Sequence, residues 1–195
     1  MIIQSLAERA NQLQVLLATM EYSPLVSDNK KEKQEQGELA YHYAVELLSV
    51  ARNQKGNIYL VGNGGSAAIV SHAKTDLMNV GKIKAITLHE PAIMTCLSND
   101  YGYEHVFSRQ LEVLANTDDV LIAVSSSGQS TNILNAVETM RSKNAQVISL
   151  TGFKAENPLR QKGDLNYWIN SDNYTLVEIA HLFILHHLAD CLKEE

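Results

Sequence analysis

Apolar residues recur at helical spacing through the first quarter of the chain. Ile3, Leu6, Leu13, Leu16 and Leu17 mark one helix, and Leu39, Tyr43, Leu47, Val50 and Ala51 mark a second. The polar stretch from Ser27 to Gly37 reads as a loop or a frayed helix start, and Gly56 stops the second helix. From residue 57 the pattern changes. Short apolar runs at 57–61, 85–88, 120–124 and 147–151, and a weaker one at 166–169, alternate with helical stretches near 66–79, 91–99, 103–115, 130–143 and 174–193. Runs that are apolar on both faces and alternate with helices are buried parallel strands. The expected fold is α/β: a three-layer αβα sandwich with a five-stranded parallel sheet. Residues 1–195 form a single domain, with 1–55 as an N-terminal helical extension.

Composition narrows the function classes. At 195 residues, 45% hydrophobic and 19% charged, the chain is the size of one α/β domain with a substantial core. It carries 16 basic and 22 acidic side chains, a formal charge of -6, and no basic block, which argues against nucleic-acid binding. Cys96 and Cys191 lie in apolar helical contexts and read as buried reduced thiols rather than a disulfide framework. The N-terminus lacks the pattern of a signal peptide, and no apolar run reaches the roughly 18 residues of a membrane span. A soluble cytoplasmic protein is expected.

In doubly wound sheets, ligands sit beyond the carboxyl ends of the strands. The loop after the 57–61 run reads Gly62-Asn63-Gly64-Gly65-Ser66 and opens directly into a helix. Its glycines permit close backbone approach, and the helix start offers unpaired N–H groups to an anion. A tight turn with Ser66 merely capping the helix has the same pattern. The loop after the 120–124 run reads Ser125-Ser126-Ser127-Gly128-Gln129-Ser130-Thr131. A single cap uses one hydroxyl, whereas this cluster holds five, enough to surround phosphate oxygens without a cation. Neither loop is a Walker motif or a complete dinucleotide fingerprint, so no nucleotide cofactor is expected.

Acid–base candidates cluster on two helices. His72 and Asp76, four residues apart, share a helix face; such a pair can chelate a metal or carry protons. A surface His–Asp pair has the same spacing. The apolar last helix carries Glu178, His181, His186 and His187, polar groups that must be satisfied within it or in a site. Glu178 and His186 are eight residues apart, about 12 Å along a helix and about 80° around it. One metal ion could hardly take both from one chain, so sites formed between subunits are expected.

Together, GNGGSA after one strand, SSSGQS after a later one, Ser98-Asn99-Asp100-Tyr101-Gly102 and the histidine-bearing last helix resemble the sugar isomerase (SIS) domain, and within it the phosphoheptose isomerases. The resemblance runs over nearly the whole chain and implies a flavodoxin-like sheet. It also implies homotetramers with interfacial sites, in which the leading helices join a central bundle. It assigns His72, Asp76, Glu178 and His186 as zinc ligands, one zinc per site, and Asp76 and His186 as the acid–base pair. Ser125, Ser126, Ser127 and Ser130 would hold phosphate. Asn63, Gly64, Gly65, Ser66, Asn99, Asp100, Asp76 and Glu178 would contact the sugar.

The implied reaction converts sedoheptulose 7-phosphate into D-glycero-D-manno-heptose 7-phosphate for surface polysaccharide such as lipopolysaccharide. Two departures stand out. Asp76 occupies a glutamate position, moving the carboxylate by about 1.5 Å, and Glu178 occupies a glutamine position, adding a charge. SIS domains also serve as non-catalytic phosphosugar sensors and adaptors, including one of this branch that binds the DnaA replication initiator; the shortened carboxylate suits that alternative, and the retained His72 and His186 suit the enzyme.

Overall fold

The structure, a computed structural model, describes residues 5–23 and 30–193, with side chains placed throughout except at 30–36. Ile3 and the start of the Ser27–Gly37 stretch lie outside the described residues. Helix α1 (Leu6–Ala18) opens on a capping box in which Ser5 and Glu8 satisfy each other's backbone N–H. A three-residue strand β1 (Glu21–Ser23) follows, then α2 (Lys30–Asn53), so of the two readings of Ser27–Gly37, loop or helix start, the helix start applies from Lys30. The alternating part runs β2 (Asn57–Gly62), α3 (Gly65–Asn79), β3 (Lys84–Thr87), α4 (Pro91–Tyr101), α5 (Ser108–Leu114), β4 (Val120–Ser125), α6 (Thr131–Ser142), β5 (Gln146–Thr151), β6 (Leu165–Trp168) and α7 (Tyr174–Cys191). The helix expected over 103–115 is instead a 3-10 turn, Tyr103–His105, followed by α5.

The sheet has six strands in the order β1-β6-β5-β4-β2-β3, not five. The five expected strands pair in parallel; β1 adds an antiparallel edge on β6. Strand β1 escapes the sequence pattern because it is three residues long and is held by tertiary contacts. Tyr22 meets Tyr167 edge-to-face at 5.4 Å, and Glu21 pairs at 2.8 Å with Arg160, whose guanidinium lies 4.4 Å from the Trp168 ring.

Alternation along the strands sends side chains into two cores. Ile58, Leu60, Val120, Ile122 and Val124 face α2, α3 and α7, whereas Tyr59, Val61, Leu121 and Ala123 face α5 and α6. The three-layer sandwich follows. On α2, Ala40, Ala44, Leu48 and Ala51 are the buried positions, while Leu39, Tyr43 and Val50 point outward; only Ala51 of the expected stripe is fully in the core. Cys96 and Cys191 are free but exposed, which corrects the expectation of buried thiols: they sit on the outer faces of their helices.

The strand order reverses between β2 and β4, since β2 continues to β3 on one side and β4 lies on the other. Both Gly- and Ser-rich loops leave the sheet at this crevice, where such folds bind ligands.

His181 is fully buried on α7, with its Nε2 3.1 Å from the Thr151 carbonyl. A carbonyl only accepts, so Nε2 carries the proton, leaving Nδ1 buried without a partner. Burial pulls the His181 pKa down from 6.5 to about 4, opposed by the Thr151 hydrogen bond. The unfolded chain therefore binds a proton below pH 6.5 that the native fold refuses until about pH 4. Stability from this group is complete above the upper value and lost as pH falls through that window, by about 3 kcal/mol. Urea denaturation between pH 7 and pH 4 should show a shallower acid loss for His181→Gln than for the wild type; equal slopes would contradict this account.

Candidate functional site

The crevice between β2 and β4 holds a polar cavity of about 270 Å³, lined by Asn63, Gly64, Gly65, Ser66, Val124, Ser125, Ser126, Ser127, Ser130, Tyr174 and Glu178. Nine of these eleven are residues that the sequence marks as candidates, Val124 and Tyr174 being the additions. No Lys or Arg lines it among the described residues, and Glu178 is its one charged group.

Backbone geometry shapes the serine loop. Gly128 has φ +64, and its N–H reaches both the Ser125 carbonyl and Ser125 Oγ, at 3.0 and 3.2 Å. A Cβ at Gly128 would lie 2.0 Å from Asn157 Oδ1, so the turn also needs glycine for space. Ser125 Oγ is 3.4 Å from Ser130 Oγ. Ser130 is the N-cap residue of α6 yet makes no side-chain cap bond, and Ser126 Oγ is buried without a hydrogen-bond partner. Both hydroxyls thus remain available to an oxyanion. The neighbouring turn braces the loop: the Gly152 N–H donates to the Ser126 carbonyl at 2.9 Å, and the Leu159 N–H to the Gly128 carbonyl at 3.1 Å.

The two loops are tied together by side chains. Asn63 and Asn132 exchange reciprocal amide hydrogen bonds of 2.9 Å, and Tyr103 Oη donates to Asn63 Oδ1 at 3.1 Å. Asn63 is therefore a clasp between the loops as well as a cavity wall. Asn132 and Tyr103 were not recognised from sequence; the Asn132 position, just inside a hydroxyl-rich helix start, was the available signal. Behind the first loop, His89 Nε2 lies 3.0 Å from the Gly62 carbonyl. Burial lowers the His89 pKa and the Gly62 bond opposes that shift.

Gly65 opens α3, and a Cβ there would stand 2.4 and 2.5 Å from the two carboxylate oxygens of Glu178. The absence of a side chain is what lets α7 bring its carboxylate against the N-terminus of α3, where N–H groups and the helix dipole favour negative charge.

Further along the same two helices a second cluster forms. His186 Nδ1 is 2.8 Å and His72 Nε2 3.8 Å from Asp76 Oδ2, and the two imidazole rings are 4.9 Å apart. One ligand atom from each of the three residues falls within 4.8 Å of the others. Neither close approach has hydrogen-bond alignment, so Asp76 Oδ2 is a buried acceptor with no hydrogen bond. Two imidazole nitrogens and an unsatisfied carboxylate oxygen are a donor set suited to zinc. These residues fit that group; Glu178, expected as a fourth ligand, is not among them and lies at the other end of α7. Asn99 and Asp100 also stand apart. They bond to each other at 2.9 Å on exposed α4, and Asn99 lines a separate hollow with Met94, Thr95, Ser98 and Tyr103.

Comparison with known proteins agrees with this architecture. Residues 21–152 match the model of the SIS domain family. A phosphoheptose isomerase from Helicobacter pylori (strain P12) is 35% identical over 156 residues, covering 77% of this chain and 81% of that protein. The structure of phosphoheptose isomerase GmhA from Neisseria gonorrhoeae superposes with a TM-score of 0.79 at 28% identity, covering 97% of this chain and all of that one. A phosphoheptose isomerase structure from Francisella tularensis gives 0.81 at 27% identity, over 97% and 95% of the two chains.

Gly64 and Gly128 both have positive φ, but only Gly128 lacks room for a Cβ, nothing lying within 4 Å of the one built at Gly64. Gly64→Ala should therefore cost about 1 kcal/mol, from backbone strain alone, and Gly128→Ala about 3 kcal/mol or more. Urea midpoints of the two variants give the ranking, and the reverse order would contradict the packing around Asn157.

Proposed function

The chain belongs to the SIS domain family and, within it, to the phosphoheptose isomerases; from that membership we propose that it interconverts a ketose and an aldose phosphate, the ketose being sedoheptulose 7-phosphate and the aldose D-glycero-D-manno-heptose 7-phosphate for surface polysaccharide. The observation that carries this reading is the arrangement on α3 and α7. A cation-free hydroxyl cavity stands at one end of the helix pair and a His–Asp–His cluster further along it. Glu178 and His186 mark the two positions, eight residues or about 12 Å apart along the axis. In an extended seven-carbon ketose phosphate, C2 lies roughly 9 Å from phosphorus, from bond lengths near 1.5 Å. A seven-carbon phosphosugar covers most of that separation, side chains closing the rest, and a triose phosphate does not.

In this reading Ser125, Ser126, Ser127 and Ser130 hold phosphate through hydroxyls and loop amides. Glu178 accepts hydrogen bonds from sugar hydroxyls, and Gly64, Gly65 and Ser66 bring main chain against the carbon chain. Asn99 and Asp100 meet hydroxyls only if substrate or a neighbouring subunit reaches α4. Asp76 and His186 carry the protons. One removes the proton from C1 while the other protonates the C2 oxygen, giving an enediol; the reverse transfers deliver a proton to C2 and take one from O1, leaving an aldehyde. His72 stands beside the same Asp76 oxygen, 3.8 Å away.

His72, Asp76 and His186 would also hold zinc, which when bound polarises a carbonyl or hydroxyl oxygen. Glu178 is assigned to the sugar. The exposed Leu6, Val15, Leu39, Tyr43 and Val50 on α1 and α2 support an assembly, taken here as a homotetramer joined through residues 1–55, with the sites at subunit boundaries. No helix among the described residues is long and apolar enough to cross a membrane, in keeping with work on a soluble sugar phosphate in the cytoplasm. A phosphosugar-responsive adaptor would need the loops but not the convergence on Asp76, so the enzymatic reading is preferred.

Purified protein incubated with a panel of sugar phosphates should form aldose product from sedoheptulose 7-phosphate, with activity lost to a chelator and restored by zinc. Asp76→Asn should lower turnover by at least about 100-fold while sugar-phosphate affinity changes little. Normal turnover in that variant would remove Asp76 from the mechanism.

A further inference from the structure

The cavity has an aromatic wall that its phosphate-binding chemistry does not require. Tyr174, the first residue of α7, lines the cavity. Its ring meets Phe153 edge-to-face at 4.7 Å, and its hydroxyl makes no hydrogen bond within the described residues. Tyr174 and Glu178 are four residues apart and so share one helix face.

Phe153 holds an unusual backbone. Its φ is +56, in the left-handed region, where a bulky side chain is a true outlier. Such a conformation costs on the order of 1 kcal/mol and persists only where surrounding contacts impose it. Here those contacts are identifiable. The Phe153 N–H donates to the Ser171 carbonyl at 2.8 Å, and the preceding Gly152 N–H donates to the Ser126 carbonyl of the serine loop. Asn157 Nδ2 donates to the carbonyls of Gly152 and Lys154. The strained residue is thus fastened to the serine loop on one side and to the approach of α7 on the other. From there its ring meets that of Tyr174.

We propose that Tyr174 is a substrate-contacting residue, its phenol donating a hydrogen bond to the phosphate of the bound phosphosugar, and that Phe153 is the positioning residue that holds it there. The contact supplies a neutral donor to a cavity whose one charge, Glu178, is negative. It is compatible with a phosphate monoester because a phenol adds no charge and leaves Glu178 free for hydroxyls. Phe153 contributes through ring packing: Tyr174 is 60% exposed with this contact in place, and the edge-to-face contact limits how far its ring turns into solvent. The strain at Phe153 is the cost of that restriction.

This assignment rests on the phosphosugar reading of the cavity, and the test separates the two. Isothermal titration of the intact wild-type protein with sedoheptulose 7-phosphate reports on the cavity itself; no binding there overturns both. Given wild-type binding, Tyr174→Phe keeps the ring and should raise Kd about tenfold, the loss of one hydrogen bond to a charged group. Phe153→Gly, with glycine suited to the left-handed backbone, should raise Kd by a similar factor with kcat little changed. In the Tyr174→Phe background the Phe153 substitution should have almost no further effect, because both act through one hydroxyl. Phe153→Leu replaces the glycine variant in the cycle if the latter does not fold. A Tyr174→Phe affinity within twofold of wild type overturns the phosphate contact. Equal Phe153 effects in both backgrounds overturn the positioning role.

Discussion

The site depends on α3 and α7 packing side by side in the same direction on one face of the sheet. Because both run away from the carboxyl ends of the strands, residues that advance together along the two sequences meet in space. Gly65 meets Glu178 near the start, and His72 and Asp76 meet His186 about two turns later. Small or apolar positions between them, Ile69, Val70, Ala73, Ala180 and Ile184, are buried where the two helices pack. A shift of one turn, 5.4 Å, would break both meetings at once. The polar cavity and the His–Asp–His cluster are therefore one structural decision rather than two.

Charge placement within that frame is economical. The cavity end presents serine hydroxyls and main-chain amides, groups able to hold an oxyanion without a cation and so without a competing ion pair to break. Glu178 sits where the N-terminus of α3 tolerates a carboxylate. At the far end Asp76 Oδ2 is buried without a hydrogen bond although two imidazoles approach it. A buried acceptor left in that state is costly in a structural role and useful in a reacting one. His181, by contrast, lies on the same helix with its Nε2 spent on Thr151 and its pKa held near 4 by burial; it is a neutral core residue, and the difference comes from which face of α7 it occupies.

The loops are built as a braced pair. The Asn63–Asn132 amide exchange crosses the crevice, and Gly128 folds tightly enough for Asn157 to pack over it. The turn after β5 carries a strained Phe153 and a hydrogen bond into the serine loop. Strain and tight packing at these points resist collapse of a polar crevice whose hydroxyls are not fully satisfied internally.

Much was legible in the sequence alone. Continuous apolar runs specified five parallel strands and the three-layer sandwich, since a strand covered on both faces cannot alternate with polar residues. The hydroxyl excess after β4 marked a loop whose serines line the cavity, and the i, i+4 spacing placed His72 beside Asp76, because both signals are local. Tertiary structure decided what depends on distant partners. Strand β1 is held by its pairing with β6, by Tyr22 on Tyr167 and by Arg160 on Glu21, long-range contacts with no local period. Asn132 and Tyr103 became site residues through the clasp on Asn63. The exposure of Leu39, Tyr43 and Val50 was fixed by which side of α2 the small residues Ala40 and Ala44 let approach the sheet. The separation of Glu178 from the His–Asp–His cluster was already implicit in eight residues of helical rise; which α3 residues each one meets was decided by the register of α3 against α7.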